Sequence, residues 1–172
     1  MPVDQALLLE YAARAPLQKS AMVVEAARVE NKATAFLCHS HKDQRLAKGV
    51  QGYLQDKGWQ VYIDWEDLSM PDQPNRATAE RIKKRIRELT WFLFLATENS
   101  TASRWCPWEI GYADGTKKGR AIQILQTRDN NGQYFGNEYL QLYDRVELSQ
   151  GGRLGSYDYA NKGRYLVEGT AP

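Results

Sequence analysis

Trp91-Phe-Leu-Phe-Leu-Ala96 decides the architecture. Six apolar residues in a row leave no face for water, so the run predicts a strand covered on both sides, as in a parallel sheet flanked by helices. Upstream, Ala33-Thr-Ala-Phe-Leu-Cys38 and Trp59-Gln-Val-Tyr-Ile-Asp64 read as two further strands. Between them, Gln44 to Lys57 carries Leu46, Val50, Tyr53 and Leu54 at helical spacing, with Gly58 placed to close the helix. A loop from Trp65 to Gln73 leads to Pro74, placed to open a helix bearing Ile82, Ile86 and Leu89. Downstream, Trp105 to Lys118 reads as a helix, Ala121-Ile-Gln-Ile-Leu-Gln126 as a fourth strand and Asp144-Arg-Val-Glu-Leu148 as a short fifth. Alternating strands and helices predict an α/β fold, a doubly wound parallel sheet of five strands in flavodoxin-like order.

The ends of the chain read differently. Residues 4 to 29 are helical in pattern, Leu7-Leu-Leu-Glu-Tyr11 and then Met22-Val-Val-Glu-Ala-Ala-Arg-Val29, with a break near Pro16. The expected division is a helical N-terminal extension over 1–31, the α/β domain over 32–148 and a tail over 149–172 rich in Gly, Tyr and Asn, left without assignment. Packing of the N-terminal helices on the sheet and a role in oligomerisation are both open. Gly151, Gly152 and Gly155 read as loop, because no strand–helix unit surrounds them to make a dinucleotide fingerprint.

Composition excludes several classes. The net charge is +2, with Lys and Arg spread along 172 residues, so bulk electrostatics give no support for a nucleic-acid partner. The apolar runs fall far short of the ~18 residues of a membrane helix, and the N-terminus carries Asp4 and Glu10, so no membrane partner and a cytoplasmic location are expected. Cys38 and Cys106 make no disulfide framework and read as reduced thiols. With His39 and His41 they make no metal centre, since CxxC spacing is lacking and successive strand residues point to opposite faces. The basic run Arg81 to Arg87, interleaved with Ile82 and Ile86, reads as the wet face of an amphipathic helix.

The chemistry lies after the central strand. Beyond the polar loop Thr97 to Ser100 comes Ser103-Arg-Trp-Cys-Pro-Trp-Glu-Ile-Gly-Tyr-Ala113. It sets Glu109 near the start of a helix, at the lip of the sheet where ligands of such folds bind, among Trp105, Trp108 and Tyr112. A carboxylate walled by aromatic rings suits a ring-bearing substrate that develops positive charge. The plainer alternative is an ordinary solvated helix acid.

Three motifs, in order, carry a family resemblance. Phe36-Leu-Cys-His-Ser-His-Lys-Asp43 resembles the first-strand motif of Toll/interleukin-1 receptor (TIR) domains. Trp59 to Asp64 and the loop after it resemble the second strand and BB loop of that family, and Ser103-x-Trp105-Cys106-x-x-Glu109 resembles the segment bearing the catalytic glutamate of TIR domains that cleave NAD. Order and spacing agree over residues 33 to 148, and leave out the N-terminal helices and the tail.

The resemblance implies the TIR fold and an NAD nucleosidase or ADP-ribosyl cyclase that takes NAD as substrate and needs no separate cofactor. Glu109 would be the catalytic residue: breaking the nicotinamide–ribose bond builds positive charge on the ribose, which a fixed carboxylate favours, and nicotinamide leaves without a second acid. Trp105, four residues earlier on the same helix face, would stack on nicotinamide or cap the ribose. His39 and Ser40 on the first loop, with Asp64 and Trp65 on the BB loop, would line the substrate, and Lys42 and Arg45 would serve the pyrophosphate. The plainer alternative for Ser40 or Asp43 is a helix cap. In the family the BB loop also contacts a neighbouring subunit, so self-association through Trp65, Glu66 and Met70 is expected. Against this stands local packing of Trp65 with the loop acids facing solvent. Two departures are Pro71, where many relatives have glycine, and the pair Cys38-His39. Stand-alone bacterial TIR proteins of the Thoeris type make a nucleotide signal in antiphage defence that a separate effector reads. The alternatives are a non-catalytic TIR adaptor acting by homotypic assembly and a nucleoside deoxyribosyltransferase-like enzyme with a nucleophilic glutamate.

Overall fold

A computed structural model describes residues 1–14, 20–30, 32–71, 75–118, 120–136, 138–148 and 153–165. Val3–Asp4 (β1), Gln5–Arg14 (α1) and Ser20–Val29 (α2) open the chain. Thr34–Cys38 (β2), Gln44–Gln55 (α3), Gln60–Tyr62 (β3), Arg76–Glu88 (α4), Trp91–Ala96 (β4), Glu98–Thr101 (α5), Cys106–Thr116 (α6), Ile122–Arg128 (β5) and Asp144–Leu148 (β6) follow, and then Leu154–Tyr157 (β7) and Gly163–Tyr165 (β8). The strands run β3-β2-β4-β5-β6 in parallel, and β7 and β8 add on antiparallel beyond β6. Numbered among themselves, the five parallel strands lie in the order 2-1-3-4-5 of the flavodoxin-like class expected from the sequence.

The central strand explains the two layers. All six residues of β4 are buried. Leu93 and Leu95 join Leu37, Val50 and Leu125 under α1 and α3. Phe92 and Phe94 point the other way, into Phe36, Ile82, Ile86 and Ile110 under α4 and α6. Side chains alternate along a strand, so a continuous apolar run feeds both cores at once.

Local signals set most of the bounds. α4 begins behind Asn75, whose side chain accepts from the Thr78 N–H (3.2 Å) while the Thr78 hydroxyl accepts from the Asn75 N–H (3.1 Å), a capping box. The expected opening at Pro74 and the expected break at Pro16 lie outside the described residues. α3 stops at Gln55, and Gly58 takes up φ 80° in the turn that follows.

The ends join the sheet in ways the local pattern does not show. β1 pairs in parallel with the far end of β5, Val3 with Thr127 and Asp4 with Arg128. The Met1 amino group reaches the Glu147 carboxylate at 2.7 Å. α1 lies on α3 with Leu8 fully buried, and the Tyr11 and Tyr53 rings meet edge-on at 5.2 Å. In the tail, Gly155 is not loop: it sits in β7 under the Tyr157 ring, which a Cβ on Gly155 or on Gly163 would meet at 2.8 or 2.4 Å. An aromatic ring covering two strand glycines replaces the side chains they lack, a pairing that no short window reveals. Gly151 and Gly152 lie outside the described residues. Among the described residues no helix is long and apolar enough to cross a membrane.

Candidate functional site

The carboxyl ends of β2, β3 and β4 and the start of α6 meet at one edge of the sheet. Ser103 pins the start of α6: its hydroxyl accepts from the N–H of Trp105 (3.2 Å) and of Cys106 (3.3 Å). Pro107 occupies the first turn, where a missing N–H costs nothing. One turn on, Glu109 turns inward and is only 6% exposed. It is not a solvated acid. The Cys38 thiol, from the end of β2, donates to the Cys106 carbonyl oxygen at 3.9 Å, one turn before Glu109. Burial pushes the Glu109 carboxyl well above the usual range, and the nearby Cys106 and Asp64 push the same way. The two cysteines are buried and free.

Three of the expected substrate-lining residues form one unit. Asp64 to Glu66 make a single helical turn after β3. The Trp65 indole N–H donates to His39 Nε2 at 3.0 Å, and His39 Nδ1 lies 3.0 Å from the Leu37 carbonyl oxygen. That pattern assigns the proton to Nδ1 and leaves His39 neutral. Asp64 accepts from the Trp65 backbone N–H at 2.9 Å and stands 3.8 Å from His39 Nε2. Ser40 caps the short turn His41–Asp43, accepting from the Lys42 N–H at 3.4 Å. Trp105 meets Trp108 edge-on at 5.4 Å.

Asp43 does something the sequence does not announce. It makes no cap bond; its buried carboxylate accepts from the Thr97 hydroxyl (2.5 Å) and the Asn99 amide (2.6 Å), tying the loop after β2 to the loop after β4. The Thr97 and Ser100 capping box is a legible local signal, but its link to Asp43 spans 54 residues.

The acids of the BB loop also turn inward. Glu66 accepts from Lys48 (2.5 Å) and Gln51 (2.8 Å) on α3. Asp67 accepts from the Tyr62 hydroxyl (2.8 Å), the Ser69 N–H (3.0 Å) and hydroxyl (2.6 Å), and Arg85 of α4 (3.2 Å). Neither acid faces solvent. Met70 packs into the core under α4 and α6, whereas Arg45 lines a cleft with Lys48, Trp65 and Ala12 on the α3 side of the sheet. Burial by itself would raise the Asp67 carboxyl, but its bonds from Ser69, Tyr62 and Arg85 outweigh burial and hold it below the usual range. Its contribution to stability is therefore present above the unfolded carboxyl range, near pH 4, and disappears as pH falls through the lower folded value. Asp67→Asn is expected to cost about 2–3 kcal/mol at pH 7. In urea titrations the gap from wild type should close on going to pH 2; a gap independent of pH would contradict this account.

The TIR domain family matches residues 35–153, well over half of the chain. The chain belongs to the TIR domain family. The TIR match starts on β2 and stops short of β7, so β1, α1, α2 and the β7–β8 hairpin lie outside it. A protein of Bacillus cereus (strain MSX-D12) named "Probable 3' cyclic ADP-D-ribose synthase ThsB'" is 36% identical over 113 residues, 64% of this chain and 58% of that protein. A protein of Cytobacillus dafuensis named "Putative cyclic ADP-D-ribose synthase TIR2" is 28% identical over 95 residues, 52% of this chain and 25% of that protein. The chain thus spans between a quarter and three-fifths of these curated relatives.

Proposed function

We propose that this TIR protein cleaves the nicotinamide–ribose bond of NAD at Glu109 and converts the ADP-ribosyl half to a cyclic ADP-ribose-type signal in antiphage defence. The observation that carries the reading is the buried Glu109 carboxyl at the sheet's carboxyl edge, next to Trp105. A carboxyl kept out of water and pushed toward its neutral form costs stability, which a scaffold acting only through surface contacts has no reason to bear. The names of the two relatives, both cyclic ADP-D-ribose synthases, support the same reaction class. In this reading NAD is the substrate, no further cofactor is needed, the BB loop joins copies of the chain in the cytoplasm, and a separate effector reads the product.

The nicotinamide ring of NAD is a pyridinium. Its positive charge, set beside Glu109, lowers the carboxyl's pKa, so binding itself ionises the group that then stabilises the ribosyl cation. Trp105 supplies the ring surface for nicotinamide, and neutral His39, held by Trp65, presents no competing positive charge. Binding of an NAD analogue with a carbocyclic nicotinamide riboside, which keeps the pyridinium charge but cannot be cleaved, should therefore release protons, read from the buffer dependence of the calorimetric enthalpy. The release should vanish in Glu109→Gln, and equal enthalpies in all buffers for the wild type would argue against a proton leaving Glu109. The function itself is tested by mass spectrometry of NAD incubated with concentrated protein. Nicotinamide release by the wild type alone, beside Glu109→Gln, supports the enzyme, and the mass of the partner product separates cyclisation from hydrolysis. Intact NAD would return the adaptor reading, and turnover of deoxynucleosides in place of NAD would return the deoxyribosyltransferase one.

A further inference from the structure

Cleavage leaves a second chemical task. When nicotinamide departs with the electron pair of the broken C–N bond, the ribosyl carbon carries positive charge until an oxygen bonds to it. That oxygen belongs to a hydroxyl, of water or of the substrate's own adenosine ribose, and its proton has to pass to a base.

Most groups at the sheet edge are engaged. The His39 Nε2 lone pair accepts from the Trp65 indole at 3.0 Å. Asp43 has one oxygen on the Thr97 hydroxyl and the other on the Asn99 amide. Glu66 is held by Lys48 and Gln51, one oxygen each, and Asp67 by Tyr62, Ser69 and Arg85. Glu98 stands exposed on α5. Asp64 differs. Its Oδ1 accepts from the Trp65 N–H at 2.9 Å, while its Oδ2 has no partner among the described residues, on a side chain 21% exposed.

Strand register brings that carboxylate to the Glu109 side. β2 and β3 are parallel with Phe36 opposite Tyr62, so Asp64, two residues on, stands level with Cys38 one strand away. Phe36, Cys38 and Tyr62 all face the core under α4 and α6, and alternation puts Asp64 on the same face. Cys38 in turn reaches the Cys106 carbonyl oxygen at 3.9 Å, at the start of the helix that carries Glu109. Beyond burial and Cys106, the charge of Asp64 helps to push the Glu109 carboxyl up, which sets the two within electrostatic reach. Their surroundings are unlike: Glu109 is shut away from water and Asp64 is open to it. Carboxyl pairs set apart in this way divide cation stabilisation and proton transfer between them.

We propose that Asp64 is the base of the capture step: its Oδ2 takes the proton of the attacking hydroxyl as the oxygen bonds to the ribosyl carbon, and passes it to water. This rests on the reading of Glu109 as the group that stabilises the cation. It gives Asp64 a catalytic task beyond lining the substrate.

Return of nicotinamide to the ribosyl cation restores NAD and moves no proton, so exchange of labelled nicotinamide into NAD separates cation formation from capture. In Asp64→Asn, which keeps an oxygen for the Trp65 N–H, net product formation should fall about 10²-fold or more while exchange stays near the wild-type rate. Azide, an anion with no proton to lose, should trap the cation in that variant as the ADP-ribosyl azide. The wild type supplies a second measurement: net product should form more slowly in heavy water, and exchange should not. Three results overturn the proposal and leave the Glu109 reading standing: net product and exchange falling together in a variant that melts like the wild type, net product unchanged in that variant, or wild-type product formation equally fast in both waters. A wild type that neither exchanges nor consumes NAD removes the Glu109 reading, and the proposal with it.

Discussion

Glu109→Gln is expected to lose nicotinamide release by about 10²–10³-fold or more, while folding more stably than the wild type. The loss follows from removing the one charge placed to stabilise the ribosyl cation. The gain follows from burial. The folded state raises the Glu109 carboxyl above its usual range. Its stabilising contribution is therefore complete below the unfolded value, near pH 4.3, and is lost as pH rises toward the folded value. A neutral amide escapes that loss. The two proteins should match near pH 4 and diverge toward pH 8, with the variant ahead by about 1–2 kcal/mol. For a domain of this size, that is a rise of about 2–8 °C in Tm. Melting curves at both pH values check the sign, and a variant less stable than the wild type at pH 8 would mean that the carboxyl is better solvated than its 6% exposure indicates.

Gly49→Ala should cost about 3 kcal/mol or more, or detach α1 altogether. A Cβ on Gly49 would stand 1.9 Å from the Leu8 carbonyl oxygen and 2.6 Å from its carbon. Both are backbone atoms of α1, so no side chain can swing aside; one helix must move. Movement would expose Leu8 and part the Tyr11–Tyr53 contact. Hydrogen exchange should show the amides of α1 losing protection before those of β4. A Tm within a degree of wild type would show that α1 does not hold this position against α3.

Much of the architecture was legible. The bounds of β4 and β6 match those read from the sequence, and α6 falls inside the expected Trp105 to Lys118. These elements rest on patterns within a few residues: an unbroken apolar run, a helical period, a Pro in a first turn. The candidate site was legible in part. Glu109 and Trp105 were found from one short segment, and His39, Asp64 and Trp65 from two others, but not that the last three bond to one another. Glu66 and Asp67 look like solvent-facing loop acids in the sequence; in the fold Glu66 is held by Lys48 and Gln51 of α3, and Asp67 by Tyr62, Ser69 and Arg85.

By itself, then, the sequence determined the five parallel strands, the helices over them and the helix start that offers Glu109 to the sheet edge, because hydrophobic period and capping chemistry act between near neighbours. Tertiary structure alone decided the rest: that Glu109 is buried, that Asp43 joins Thr97 and Asn99, that Gly49 admits the backbone of α1, and that Tyr157 covers two glycines of the last hairpin. Each of these is a meeting of groups whose partners lie outside any local window. Burial, hydrogen bonding and steric fit depend on which distant atoms arrive, and only the folded chain brings them together.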